Sequence, residues 1–367
     1  DAEPITSLDH CPYWPQVPTG TKTPMNPTMQ NTSSPDLPAL LARHQSNPHA
    51  LVQILRELQA MHGWLPREAM SHIADALGLT LAHVQGVAGF YRFLHTQPVG
   101  QYRILFSNNI TDRMLGNEAL MRDLCQRLGI TRGQVRADGL VSVELTSCTG
   151  LCDQGPALLV NHHHVVTRLT PGRIEHIAAL IEAQVPPSQW PPEWSRIDDQ
   201  IRLTDVKLGT QPSPGQALAA ALARGPQSTL DDLKRSKLRG RGGAGYATAT
   251  KWQLCRNAPG EMHYVVCNAD EGEPGTFKDR VLLTSYADSV IEGMTIAALV
   301  VGAKRGLIYL RGEYRYLLEH LQTVLQRRRD GNLLGETIQG QTGFDFDIDI
   351  HIGAGAYVCG EESALIE

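Results

Sequence analysis

Three stretches of this chain set glycines beside charged or amide side chains: LRGRGGAGYATATKW at 238–252, CNADEGEPGTFKDR at 267–280 and GAGAYVCGEES at 353–363. Glycine admits positive φ and close backbone approach, so consecutive N–H groups can line an anion site. Gly240, Gly242, Gly243 and Gly245 supply such a loop, and Lys251 follows at a distance that brings an ammonium to a phosphate. Asn268, Asp270, Glu271 and Glu273 crowd carboxylates and an amide onto one turn beside Gly272, Pro274 and Gly275. Such a cluster repels itself unless a ligand uses it; a solvated acidic loop and a cation site with oxygen ligands are the alternatives. Tyr357, Gly360, Glu361 and Glu362 complete the set. One glycine-rich loop would be weak evidence, whereas three in fixed order point to a flavin phosphate or a nicotinamide as ligand.

Other candidates for chemistry are sparser. Cys148 and Cys152 form a CxxxC pair within ELTSCTGLCDQGPALLVN at 144–161. Thiol–disulfide exchange in thioredoxin-like folds uses CxxC, so this spacing disfavours it. His162, His163 and His164 are consecutive, and consecutive residues on an extended backbone point to alternating sides, which predicts a surface turn and not a metal site. Arg327, Arg328 and Arg329 end a helix just before Gly331, where cations complement the helix dipole. Cys255, Cys267 and Cys359 are expected to be packing residues.

These groups need elements to hold them. Residues 1–37 are rich in Pro, Thr, Ser and Asn without periodicity, which predicts an irregular arm. Leu51, Ile54, Leu55, Leu58 and Met61 recur at helical spacing between Ser46 and Gly63; Pro66 suits the start of a second helix ending at Gly78, and Thr80 the cap of a third. A helical bundle over 38–100 follows. YRILFSNN at 102–109, a helix around 116–128, VSVEL at 141–145, the paired strands ALLVN and HVVTRL and a helix over 171–183 predict a thioredoxin-like domain over 101–185. PPSQWPPEW at 186–194 opens a linker to about 225. Residues 226–367 alternate glycine loops, the strands HYVVCN and GLIYLRGEY, and helices at 284–302 and 314–329, an α/β nucleotide-binding domain. The fold class is multidomain α/β.

Composition narrows the setting. With 367 residues, 42% hydrophobic and 19% charged, the chain can build two or three cores. A net charge of −5 gives no electrostatic ground for nucleic acid or an anionic membrane as partner. The longest apolar stretch, 293–303, is too short to span a bilayer, and no secretory signal pattern opens the sequence. Seven cysteines without a scaffold pattern favour a reducing compartment, so the expected location is cytoplasmic.

The glycine segments closely resemble the flavin-bearing NADH dehydrogenase subunit shared by respiratory complex I, NAD-reducing nickel–iron hydrogenases and NAD-linked molybdenum formate dehydrogenases. By that resemblance, Gly240, Arg241, Gly242, Lys251, Asn268, Asp270, Glu271, Tyr357, Gly360 and Glu361 contact FMN. Gly243, Ala244, Tyr246, Glu273 and Glu362 are implied as contacts of NAD, with Tyr246 stacking on adenine. No side chain is implied as acid or base. The family continues beyond the position of Glu367 with a domain that holds a [4Fe–4S] cluster and is expected to pass single electrons onward.

A second resemblance covers residues 40–185. The segment 144–161 is similar to the second half of the [2Fe–2S] site in the small companion subunit of the same enzymes, where a CxxxC pair follows a CxxxxC pair. Cys148 and Cys152 keep the second pair, while Ser107 and Asp112 fall where the first belongs. The resemblance then implies a domain kept for shape and interface without its cluster; an altered cluster on Cys148 and Cys152 is the alternative metal site. The fusion of both parts most resembles the hydrogenase branch, whose diaphorase exchanges hydride between NAD(H) and FMN beside an iron–sulfur electron-transfer subunit and hydrogenase subunits. A formate dehydrogenase diaphorase, a complex I arm, and a cofactor-free docking module are the alternatives.

Overall fold

A computed structural model describes residues 36–203, 208–209, 211–241 and 243–366. Residues 1–35 of the expected arm, and Gly242 of the first glycine loop, lie outside the described residues. Helices α1 (Asp36–Arg43), α2 (Leu51–His62), α3 (Arg67–Leu77) and α4 (Leu81–Phe90) form an N-terminal lobe. Its core joins Leu51, Ile54, Leu55 and Leu58 of α2 to Met70, Ile73 and Val84, each such burial contributing roughly 1.5–3 kcal/mol. Thr80 caps α4 by accepting from the His83 N–H, as its position predicts. The approach to α2 differs from expectation: Asn47, not Ser46, caps a 3-10 turn over Pro48–Ala50 that leads into the helix.

The second body contains β1 (Tyr102–Ser107), α5 (Ile110–Met114), α6 (Asn117–Arg127), β2 (Val141–Thr146), β3 (Leu158–Val160), β4 (His164–Val166) and α7 (Pro171–Glu182). Its sheet runs β2-β1-β3-β4, with β1 parallel to β2 and antiparallel to β3. Strand alternation divides the side chains: Ile104 and Phe106 face α6 and α7, while Leu105 faces the other side with Leu159 and Val165. Phe93 of the helical lobe joins this second face, so the two bodies share a core.

The expected linker at 186–225 is packed in part. Trp190 and Trp194 bury their rings in the core beneath α7, because an aromatic pair on a proline-fixed segment gains more from burial than from solvent. Helix α8 (Gln216–Ser236), broken at Gly225 and Pro226, begins inside the same stretch and places Leu218 in the C-terminal core.

That C-terminal body adds α9 (Thr248–Asn257), β5 (Tyr264–Ala269), α10 (Lys278–Ser285), α11 (Ala287–Val301), β6 (Arg305–Leu310), α12 (Leu318–Asp330), β7 (Asp347–Ile352) and α13 (Glu362–Ile366). Its three strands are parallel, in the order β5-β6-β7. The helix expected over 284–302 is α11, with a further helix, α10, before it, and a 3-10 turn over Gly312–Leu317 precedes α12. The arginine run at the end of α12 does more than meet a dipole: buried Arg328 pairs with Asp288 and Glu292, Arg327 with Asp288, and Arg329 with Asp347. No single described helix is long and apolar enough to cross a bilayer.

Candidate functional site

All three parallel strands of the C-terminal sheet end at one edge, and open parallel sheets bind ligands outside their carboxyl ends. The three glycine segments meet there. The first is closed at its neck by the Gly240 N–H donating to the Tyr246 carbonyl at 2.8 Å, leaving Arg241, Gly243, Ala244 and Tyr246 on an exposed loop. Lys251, on α9, pairs with Glu362 of the third segment at 3.2 Å. Asn268, at the end of β5, donates to the Gly360 carbonyl at 2.8 Å, and the Tyr357 hydroxyl donates to Glu273 at 2.5 Å. Glu361 turns its carboxylate back on α13, accepting from the N–H groups of Ser363 and Ala364.

Asp270 and Glu271 are both buried, with different consequences. Asp270 is 3% exposed, and its Oδ2 has no hydrogen-bond partner. A Cβ added to Gly272 or Gly360 would come within 3.0 and 3.1 Å of that oxygen, so two glycines lie close against it and any side chain there would crowd it. Burial pushes this carboxyl up to about 7, against the pull of Arg311. A buried acceptor left unpaired costs about 1–3 kcal/mol, and a ligand carrying hydroxyl or N–H donors, as ribityl and isoalloxazine groups do, would satisfy it. The residues therefore fit FMN. Glu271 is spent within the protein. Its carboxylate accepts from the N–H groups of Asp279 and Arg280 at 2.7 and 3.0 Å, and from the Tyr314 hydroxyl at 2.7 Å. The resemblance implied an FMN contact for Glu271; in this chain its side chain also holds the start of α10.

The residues that organise this edge were not singled out in the sequence. Arg311, directly after β6, donates to the Glu271 carbonyl at 2.8 Å and to the Cys148 carbonyl, and Glu313 holds its Nε at 3.0 Å. Tyr314 follows, 0% exposed, and burial beside Glu271 drives its pKa well up. A charged Arg-Gly-Glu run after an apolar strand was the available signal: such residues stand at the carboxyl end of the sheet.

Arg311 leads directly to the CxxxC loop. The sulfurs of Cys148 and Cys152 lie 3.3 Å apart in residues 3% and 7% exposed, and of this pair Cys148 is pushed down because the Cys152 thiol donates to it. Ser107 and Asp112 stand beside them, but their polar atoms are taken. Asn109 donates to Ser107 Oγ at 2.8 Å and to Asp112, whose Oδ1 also accepts from the Ala157 N–H at 3.2 Å. Burial pushes Asp112 up to about 6, with the Cys148 charge adding to the rise. Among the described residues, no group of three or more His, Cys, Asp or Glu side chains could hold a metal ion. The set does not fit a [2Fe–2S] cluster: two cysteine sulfurs face a carboxyl and a hydroxyl already committed to a network of their own.

His162, expected in a surface turn, does sit between β3 and β4 but packs inward. It stacks on Phe93 at 4.3 Å and meets His95 with 3.0 Å between their Nε2 atoms. Cys359 is buried, and Cys255 and Cys267 pack against the C-terminal core.

Residues 37–182 match the thioredoxin-like [2Fe–2S] ferredoxin family, and residues 233–367 match the Nuo51 FMN-binding domain family. The alpha subunit of the NAD-reducing hydrogenase of Cupriavidus necator is 39% identical over 340 residues, 89% of this chain and 56% of that protein. One subunit of the NADH–quinone oxidoreductase of Escherichia coli is 39% identical over 181 residues, 49% of this chain and 40% of its own. A crystal structure of an NAD⁺-reducing [NiFe]-hydrogenase in the H₂-reduced state superposes with a TM-score of 0.78 at 39% identity, covering 87% of this chain and 53% of that one. The chain thus spans about half the length of the hydrogenase relatives it matches. With both family matches in this order and the likeness to the hydrogenase alpha subunit running through 89% of its length, residues 37–182 of this chain belong to the thioredoxin-like [2Fe–2S] ferredoxin family and residues 233–367 to the Nuo51 FMN-binding domain family.

Proposed function

We propose that this chain is the FMN- and NAD(H)-binding part of a diaphorase, an NADH:acceptor oxidoreductase module of a cytoplasmic NAD-reducing hydrogenase. Its partners in this reading are an iron–sulfur electron-transfer subunit and the hydrogenase subunits. The observation that carries it is the unpaired Asp270 oxygen, buried between Gly272 and Gly360 where the three glycine segments meet. When bound there, FMN supplies the exchange of a hydride with the nicotinamide for single electrons passed to an iron–sulfur acceptor such as a [4Fe–4S] cluster outside these residues. The protein's part is binding and orientation. Lys251 brings positive charge to the phosphate, Gly240 and Arg241 line the loop above it, and Asn268, Asp270, Tyr357, Gly360 and Glu361 meet the flavin and ribityl side. Tyr246, half exposed, offers a ring face to adenine, with Gly243, Ala244, Glu273 and Glu362 on the NAD side. The thioredoxin-like domain carries no electron in this scheme, since its residues do not fit the cluster.

Titration of ligand-free protein with FMN, followed by flavin fluorescence, tests the reading. Lys251→Ala removes a charge-assisted contact worth about 1.5–3 kcal/mol, so the dissociation constant should rise roughly ten- to hundredfold. Tyr246→Ala should leave FMN bound and weaken NADH. Unchanged FMN affinity in Lys251→Ala, or flavin lost on Tyr246→Ala with NADH binding unaltered, overturns the assignment.

A further inference from the structure

Cys148 and Cys152 have lost the partners of a four-thiolate set, yet both thiols remain, in contact, where the thioredoxin-like body meets the ligand edge. We infer that the pair is a peroxide-reactive dithiol: hydrogen peroxide converts it to an intramolecular disulfide, and that disulfide weakens binding at the adjoining 270–275 loop.

The geometry is close to product. A disulfide needs its sulfurs about 2.05 Å apart, so from 3.3 Å the pair must close by about 1.2 Å. Cys125, by contrast, faces the opposite side of the sheet among α6 and α7. Burial selects the oxidant: residues 3% and 7% exposed offer no opening for a thiol peptide or a protein active site, which leaves a water-sized peroxide as the reagent. The chemistry balances. The Cys148 sulfur attacks one peroxide oxygen, the O–O bond breaks, and one water leaves with a sulfenic acid formed. The Cys152 sulfur then attacks the Cys148 sulfur and displaces the second water. Two thiols are oxidised by two electrons, and one peroxide is reduced to two waters. A source lies close at hand, since dioxygen takes two electrons and two protons from a reduced flavin to give hydrogen peroxide. That source rests on the proposed function; the reactivity of the pair does not.

The same geometry carries the effect to the ligand loop. The Gly275 N–H faces both sulfurs from the 270–275 loop, and Arg311 ties the Cys148 carbonyl to the Glu271 carbonyl. Gly150, within the CxxxC loop at φ +70°, lies so close under the Tyr314 ring that a Cβ there would collide with it, and Tyr314 in turn holds Glu271. With no slack in this stack, drawing the sulfurs together must disturb Gly275, Arg311 or Tyr314.

The test uses the full chain, reduced with dithiothreitol, exposed to graded hydrogen peroxide, unfolded in an alkylating reagent and mapped by mass spectrometry. The expected result is a Cys148–Cys152 peptide lighter by two hydrogens, no longer alkylated and restored by reductant, in protein whose FMN dissociation constant has risen about two- to tenfold, as for one lost hydrogen bond. Cys152→Ser should stop at a sulfenic acid on Cys148, trapped by dimedone. Three results overturn the inference: both thiols still alkylated at excess peroxide, iron and acid-labile sulfide on this pair in the purified protein, or equal FMN affinity of the dithiol and disulfide forms. A reduced protein that binds no FMN overturns the proposed function instead and leaves the disulfide outcome to be read from the peptide map.

Discussion

Asp270 and Glu271 are adjacent, both acidic, and indistinguishable by type, yet one is satisfied by its own chain and the other is not. The difference lies in groups distant in sequence: Tyr314 and the start of α10 come to Glu271, and nothing among the described contacts comes to Asp270 Oδ2. This has a pH signature. The Asp270 carboxyl is raised to about 7 in the folded protein from an ordinary value of 3.8, so the folded state holds its proton more tightly than the unfolded state does. Stability is therefore lost as pH rises from about 4 through 7, and above 7 the buried carboxylate is a standing cost. Asp270→Asn in ligand-free protein should raise the unfolding free energy more at pH 8 than at pH 5, by on the order of 2 kcal/mol. A gain of the same size at both pH values in urea titrations would mean that the carboxylate is not strained. The glycine segments were legible because their residue types state a chemistry; the split between these two carboxylates was not, because hydrogen-bond supply is a property of the fold.

Elements divide along the same line. Helix α2 and strand β1 were readable because their periods of 3.6 and 2 match a buried face, and Thr80 because a cap is local. The packing of Trp190 and Trp194 was hidden behind prolines that mark a linker equally well. The turn between β3 and β4 shows the limit most clearly, since three histidines look exposed until α4's following loop brings Phe93 and His95 onto His162. With 3.0 Å between Nε2 atoms, one ring must donate and the other accept, so at least one of the two is neutral. Burial first, then Arg103 and Arg92, lowers His95 to about 4, while burial, His95, Arg103, His163 and Arg315 lower His162. A base depressed in the folded state contributes stability above its unfolded pKa near 6.5 and loses it as pH falls towards 4. His95 alone should cost about 2 kcal/mol between pH 7 and pH 5. In His95→Gln, which keeps an amide at the joint without a titrating ring, that acid sensitivity should shrink by about the same amount; urea midpoints that fall as steeply as in the parent protein would place the sensitivity elsewhere.

At the scale of the molecule, the thioredoxin-like body is held against the ligand edge by groups that flank its CxxxC loop directly. Asp153, one residue past Cys152, pairs with Arg280 at 2.5 Å; the two side chains are 9% and 1% exposed, and Arg280 also lies over the Phe277 ring. Ser147, one residue before Cys148, donates to Glu313 at 3.0 Å. The loop that carries the CxxxC pair thus also supplies the joint that ties the thioredoxin-like body to the FMN-binding body. A buried ion pair adds little net stability over an apolar pair of like volume, but removing one partner strands a charge and costs about 3–5 kcal/mol. Arg280→Met should therefore destabilise the protein by roughly that much, and adding Asp153→Leu should recover most of the loss. Because Arg280 also starts α10 beneath Glu271, the single variant should weaken FMN binding together with stability, and the double variant should restore both. A double variant no more stable than Arg280→Met alone would show that the damage lies in α10 itself, and that the ion pair across the joint is incidental to how the two bodies are held.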